Sequence, residues 1–126
     1  MMRWLNTLAV RAIPVCVALL AWTGTAEAHA FLSHASPLVG STVPSAPPVL
    51  TLDYTEGVET AFSTVVVKNA AGARVDNNDL HNAPGNQKRI LLGLPPLKPG
   101  AYTVEWHVTS VDTHKTEGTF TFSVGP

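Results

Sequence analysis

Apolar and polar residues alternate along short stretches of the chain from Leu50 onward. Leu50, Leu52 and Tyr54 alternate with Thr51 and Asp53. Tyr102, Val104, Trp106 and Val108 alternate with Thr103, Glu105, His107 and Thr109, and Phe120, Phe122 and Val124 with Thr119, Thr121 and Ser123. A period of two in β-branched and aromatic residues predicts strands with one buried face. Phe62 to Lys68 and Lys88 to Leu92 predict two more strands, Ala30 to Ala35 a first one, and Ala73 to Leu80 a less regular one. The stretches PSAPP, NAAG, NAPGN and LPPLKPG separate them with turn formers. Seven short strands in about 100 residues predict an all-β, antiparallel sandwich of the immunoglobulin-like kind. Trp106 shares the phase of Tyr102 and Val104, so it is expected in the core.

The first 28 residues follow a different pattern. Arg3 and Arg11 give a positive start, Ala12 to Trp22 is apolar apart from Pro14, and Ala26-Glu27-Ala28 has small residues at both positions a signal peptidase reads. The apolar run is about half of the ~20 residues a spanning helix needs. Residues 1–28 are therefore expected to be a cleavable secretory signal, leaving residues 29–126 as one domain without a membrane anchor. The arginines are not adjacent, and apolar residues continue past Cys16, so neither a twin-arginine nor a lipoprotein signal is indicated.

Cleavage changes the chemistry available. Cys16, Met1 and Met2 leave with the signal, so residues 29–126 contain no thiol, disulfide or thioether. Once Arg3, Arg11 and Glu27 are gone, six basic and eight acidic side chains remain of the eight and nine in the whole chain. A slightly acidic domain without basic runs excludes a nucleic-acid footprint. No G-x-S-x-G nucleophile turn and no phosphate-cradling glycine loop is present.

Cleavage also makes His29 the first residue, with an α-amine and an imidazole Nδ1 that can chelate one metal ion. The amine's reference pKa, about 7.7 to 8.0, allows ligation near neutral pH. Asp112 and His114 are spaced i, i+2, which puts both side chains on one side of an extended chain. If successive strands alternate direction and the first strand runs beside the last in the same sense, the turn Thr55-Glu56-Gly57, the loop Ser110 to Gly118 and His29 meet at one end. That end would also hold His81, and the opposite end His34. Three nitrogens and one oxygen suit tetragonal Cu(II) or Ni(II), and Cu(II) heads the divalent affinity order.

The stretches HAFLSHASPLVGSTV, LTLDYTEGVE and YTVEWHVTSVDTHKTEGTFTFSV resemble the CopC family of exported copper-binding, copper-resistance proteins, over nearly all of residues 29–126. The resemblance implies a periplasmic, cupredoxin-like Greek-key β-sandwich or barrel with one Cu(II) per chain. It implies a histidine brace at His29, ligand roles for Asp112 and His114, and a supporting role outside the ligand set for Glu56, which matches the family's acidic residue after the second strand. It further implies a monomer that buffers or carries copper, or hands it to an inner-membrane transporter of the CopD type. Some relatives have a methionine-rich loop for Cu(I). Residues 29–126 have no methionine, so the chain resembles the branch with a Cu(II) site alone.

Plainer readings stand beside these. His29 could merely follow the signal, Asp112 could cap its own turn, His114 could be a solvated loop imidazole, and Glu56 a turn carboxylate. His107 is expected to be solvated, on the polar face of its strand. His81, in the flexible-looking HNAPGNQ, is the least determined. The chain is not expected to be an enzyme. The alternatives are a histidine-brace copper oxygenase, whose chemistry needs a second equatorial imidazole and a broad substrate surface, and a metal-free sandwich for adhesion or assembly.

Overall fold

The computed structural model describes residues 30–126; the expected signal and His29 lie outside them. The strands are β1 (Leu32–Ser36), β2 (Thr42–Val43), β3 (Val49–Tyr54), β4 (Thr64–Lys68), β5 (His81–Ala83), β6 (Asn86–Gly93), β7 (Gly100–Thr109) and β8 (Lys115–Val124), with a 3-10 turn at Thr60–Phe62. They form two four-stranded sheets, in the orders β1-β3-β6-β5 and β2-β8-β7-β4. All strand pairs are antiparallel except β2 and β8, which run parallel. Among the described residues no helix is long and apolar enough to cross a membrane.

The core follows the alternation. Leu50, Leu52 and Tyr54 of β3 and Ile90 and Leu92 of β6 meet Val65 and Val67 of β4, Tyr102, Val104, Trp106 and Val108 of β7, and Phe120, Phe122 and Val124 of β8. Each such aliphatic or phenyl side chain contributes about 1.5–3 kcal/mol when withdrawn from water. Trp106 is buried, with its indole edge-on to Tyr54 at 5.3 Å between ring centres.

Among the described residues the strands number eight, not seven. Two-residue β2 shows no alternation and is defined by its pairing with β8 (Thr42 with Ser123, Val43 with Val124). The expected strand at Ala73 to Leu80 is a loop. Its backbone pairs with β4 only at one bridge, Lys68 with Arg74, and through Val75 N–H to Val67 O (2.8 Å), while Asp76 accepts from the backbone N–H of Val67 and Asn78 (both 2.8 Å) and from Arg74 Nε (3.0 Å). The strand expected from Phe62 starts at Thr64, after the 3-10 turn. The segment running parallel to the last strand is β2, whereas β1 pairs with β3 in the other sheet.

Candidate metal centre

Three segments meet at the end of the sandwich where β3 and β7 finish. The turn after β3 is tied to the loop after β7 by Val111 N–H to Gly57 O (3.0 Å), Glu59 N–H to Thr109 O (2.8 Å) and a bridge between Val58 and Ser110. The approach is close at Gly57, where a Cβ would lie 3.0 Å from Val111 Cγ1. The segment leading into β1 is tied to both sheets. Phe31 N–H donates to Thr55 Oγ1 (3.0 Å), Thr55 N–H to Phe31 O (2.9 Å), and Thr116 Oγ1–H to Ala30 O (2.6 Å).

The loop from Ser110 to His114 joins β7 to β8. Thr113 N–H donates to Ser110 O (2.9 Å) and Ser110 N–H to His114 O (2.8 Å), and Thr113 has φ 73°. A left-handed residue following a turn is a common way to close a hairpin. Here a β-branched residue takes it, an uncommon conformation found at sites the surroundings over-determine. Ser110 is wholly buried, and its hydroxyl donates to Asp112 Oδ1. Asp112 Oδ2 lies 3.3 Å from His114 Nδ1. The Ser110 hydroxyl, then the His114 contact, hold the Asp112 carboxyl below the ordinary carboxylate range, so it is ionised near neutral pH. Both side chains remain partly open to solvent, 40 % for Asp112 and 43 % for His114.

The structure thus brings Asp112 and His114 together and puts half-buried Glu56 at the adjoining turn, one residue before Gly57. His29 lies outside the described residues, and Ala30, which follows it in the chain, is buried at this end. His81 is not at this end. It opens β5 opposite Leu91, at the level of Thr51 in β3, and its Nδ1 lies 2.7 Å from Asp79 O. The strand expected to end at His81 instead begins there, and the turn after Ala83 reaches this end. His34, expected at the opposite end, pairs with Asp53, one residue from the upper end of β3, because β1 starts late and carries an irregularity between Leu32 and His34. His107 is exposed, 3.6 Å from Glu117 through Nε2.

Sequence reasoning passed over Ser110, Thr55 and Thr116. The available signal was at Thr116, a polar residue in the inward phase of β8. Phe31 and Phe62 are exposed at this end, two aromatics the alternation did not single out.

Comparison with known proteins agrees with the fold. The family model of the CopC domain matches residues 32–125. Protein YobA of Escherichia coli strain K12 is 42 % identical over 103 residues, covering 81 % of this chain and 83 % of its own. The crystal structure of CopC from Methylosinus trichosporium OB3b superposes with a TM-score of 0.73 at 32 % identity, over 78 % of this chain and 95 % of that one. PcoC, a methionine-rich copper resistance protein from Escherichia coli, gives 0.68 at 26 % identity, over 77 % and 99 %.

Proposed function

The chain belongs to the CopC family, and from that premise we propose that it binds one Cu(II) per chain and buffers or carries copper in the periplasm as part of copper resistance. The observation that carries this reading is the pairing of Asp112 with His114 at the end of the sandwich where Ala30 is anchored. Signal cleavage after Ala28 makes His29 the first residue. Consecutive Cα atoms are about 3.8 Å apart, so a residue bonded to Ala30 starts close to β8 and the loop before it. His29 then supplies an amine and an imidazole nitrogen, His114 an imidazole and Asp112 a carboxylate, a set suited to tetragonal Cu(II). Glu56 supports the site from the adjoining turn without ligating. The related copper-resistance protein PcoC is methionine-rich. This chain has no sulfur after Met1, Met2 and Cys16, which favours a site for the divalent ion alone.

The role is that of a monomeric carrier rather than an enzyme, with a membrane copper transporter of the CopD type as receiving or supplying partner. The test is to purify the protein from the periplasm, offer equal amounts of Mn(II), Co(II), Ni(II), Cu(II) and Zn(II), and measure what stays bound. One copper per chain is expected. Retention of zinc, or of no metal, would overturn the reading. Hydrogen peroxide released with a reductant would move it to the oxygenase alternative.

A further inference from the structure

We propose that Thr116 is a positioning residue for the metal centre: its hydroxyl holds the Ala30 carbonyl and thereby sets the N-terminal amine against the Asp112–His114 pair. This rests on the reading of His29 as a ligand. The residue type is the first observation. In β8 the even positions face inward, with Gly118 against Trp106 and with Phe120, Phe122 and Val124 buried. Thr116 continues that phase, where a valine of the same shape would pack as well. Its hydroxyl instead reaches across the sandwich to Ala30, 86 residues away in sequence, at 2.6 Å. Ala30 is fully buried, so its carbonyl needs such a partner.

The second observation is which sheet each tether belongs to. The Phe31 and Thr55 hydrogen bonds fasten the entering chain to the end of β3. Asp112 and His114 precede β8, which lies in the other sheet. The Thr116 bond ties Ala30 to the strand that follows His114, two residues along the chain from that imidazole. It therefore couples the two halves of the proposed ligand set, whereas Thr55 holds one half to the sheet that carries neither loop ligand.

A purely structural hydroxyl would affect folding alone, so the test is a cycle of four proteins. Chains beginning at His29, and chains with one additional residue before it, are each prepared with and without Thr116→Val, and Cu(II) affinity is measured by chelator competition. In the chain beginning at His29, Thr116→Val should weaken binding about tenfold, the size of one net hydrogen bond. In the extended chain, whose amine is already an amide, it should change binding by less than about twofold. Thr116→Ser should restore the native affinity, and the Cu(II) paramagnetic resonance spectrum of Thr116→Val should move toward that of the extended chain. Equal losses in both backgrounds, or none in either, would overturn the positioning role. Equal affinity of the two unsubstituted chains would instead overturn the amine ligand, and this proposal with it. Should Thr116→Val fail to fold, Thr116→Ala is read through the same cycle.

Discussion

Replacing Gly118 with alanine should destabilise the domain, although a glycine inside a strand is ordinarily a weakness. Removing it gains about 0.5–1 kcal/mol from reduced backbone freedom. Against that, a Cβ at position 118 would stand 2.6 Å from Trp106 Cζ2, 2.8 Å from Cε2 and 3.1 Å from Nε1. The indole cannot easily retreat, because Tyr54 lies edge-on at 5.3 Å and both rings are buried. Overpacking of this kind costs about 1–3 kcal/mol, so the net loss should be about 0–2.5 kcal/mol, centred near about 1 kcal/mol. For a domain of this size that is a fall in Tm of about 4–8 °C per kcal/mol. Trp4 and Trp22 fall in the expected signal, so Trp106 is the one tryptophan of residues 29–126 and its fluorescence reports this contact. Gly118→Ala should lower the Tm and shift the emission to longer wavelength. The penalty should shrink in a Trp106→Phe background. A variant as stable as the parent, with unchanged emission, would refute the packing argument.

Asp112→Ala and His114→Ala should each weaken Cu(II) binding by at least about tenfold, read by chelator competition, with the circular dichroism of the fold retained. His34→Ala, His81→Ala and His107→Ala should leave binding within about twofold of the parent; a large loss at His107 would contradict the site. Asp76→Ala should cost about 2–3 kcal/mol in urea unfolding, since it strands two backbone N–H groups beside the Arg74 guanidinium. Burial raises the Asp76 carboxyl, but Arg74 and those N–H groups outweigh it and leave the folded value below 3.8. Its stabilisation should therefore be complete above the ordinary carboxylate value and fade as pH falls below it. A parent and Asp76→Ala pair that differ equally at pH 7 and pH 2 would contradict that sign. Anaerobic reduction of the copper-loaded protein should let a Cu(I)-specific chelator remove the metal readily, because residues 29–126 offer no sulfur. Cu(I) held as firmly as Cu(II) would reveal a second site, and His81 and His107 would be the first places to look.

The longer strands were legible because each buries one face, so their sequence carries the period of the pleat. Leu50 to Tyr54, Tyr102 to Val108 and Phe120 to Val124 are the clearest cases. β2 was not legible, since two residues carry no period and their pairing with β8 comes from the fold. The loop around Asp76 misled because Val75 does take a strand-like backbone hydrogen bond to Val67 O, but the pairing stops at one bridge and Asp76 takes over the next backbone donors. That error put the strand too early and so moved His81 to the wrong end. Asp112 and His114 were expected on one side of an extended chain, whereas they meet across a turn in which Thr113 has φ 73°. The Thr116 contact to Ala30 was not legible, because it joins residues 86 apart whose proximity only the folded sandwich creates.

The central claim is that the N-terminal amine of a chain beginning at His29 is a copper ligand, in company with Asp112 and His114. The most direct test is the Cu(II) affinity of that chain beside one carrying a single extra residue before His29, at neutral pH and with the same competing chelator. The extension converts the amine to an amide, a poor ligand near neutral pH, and leaves every side chain in place. The extended chain should bind at least about 100-fold more weakly, about 2.8 kcal/mol, with its residual binding from the imidazoles and the carboxylate. Equal affinity of the two chains would contradict the claim.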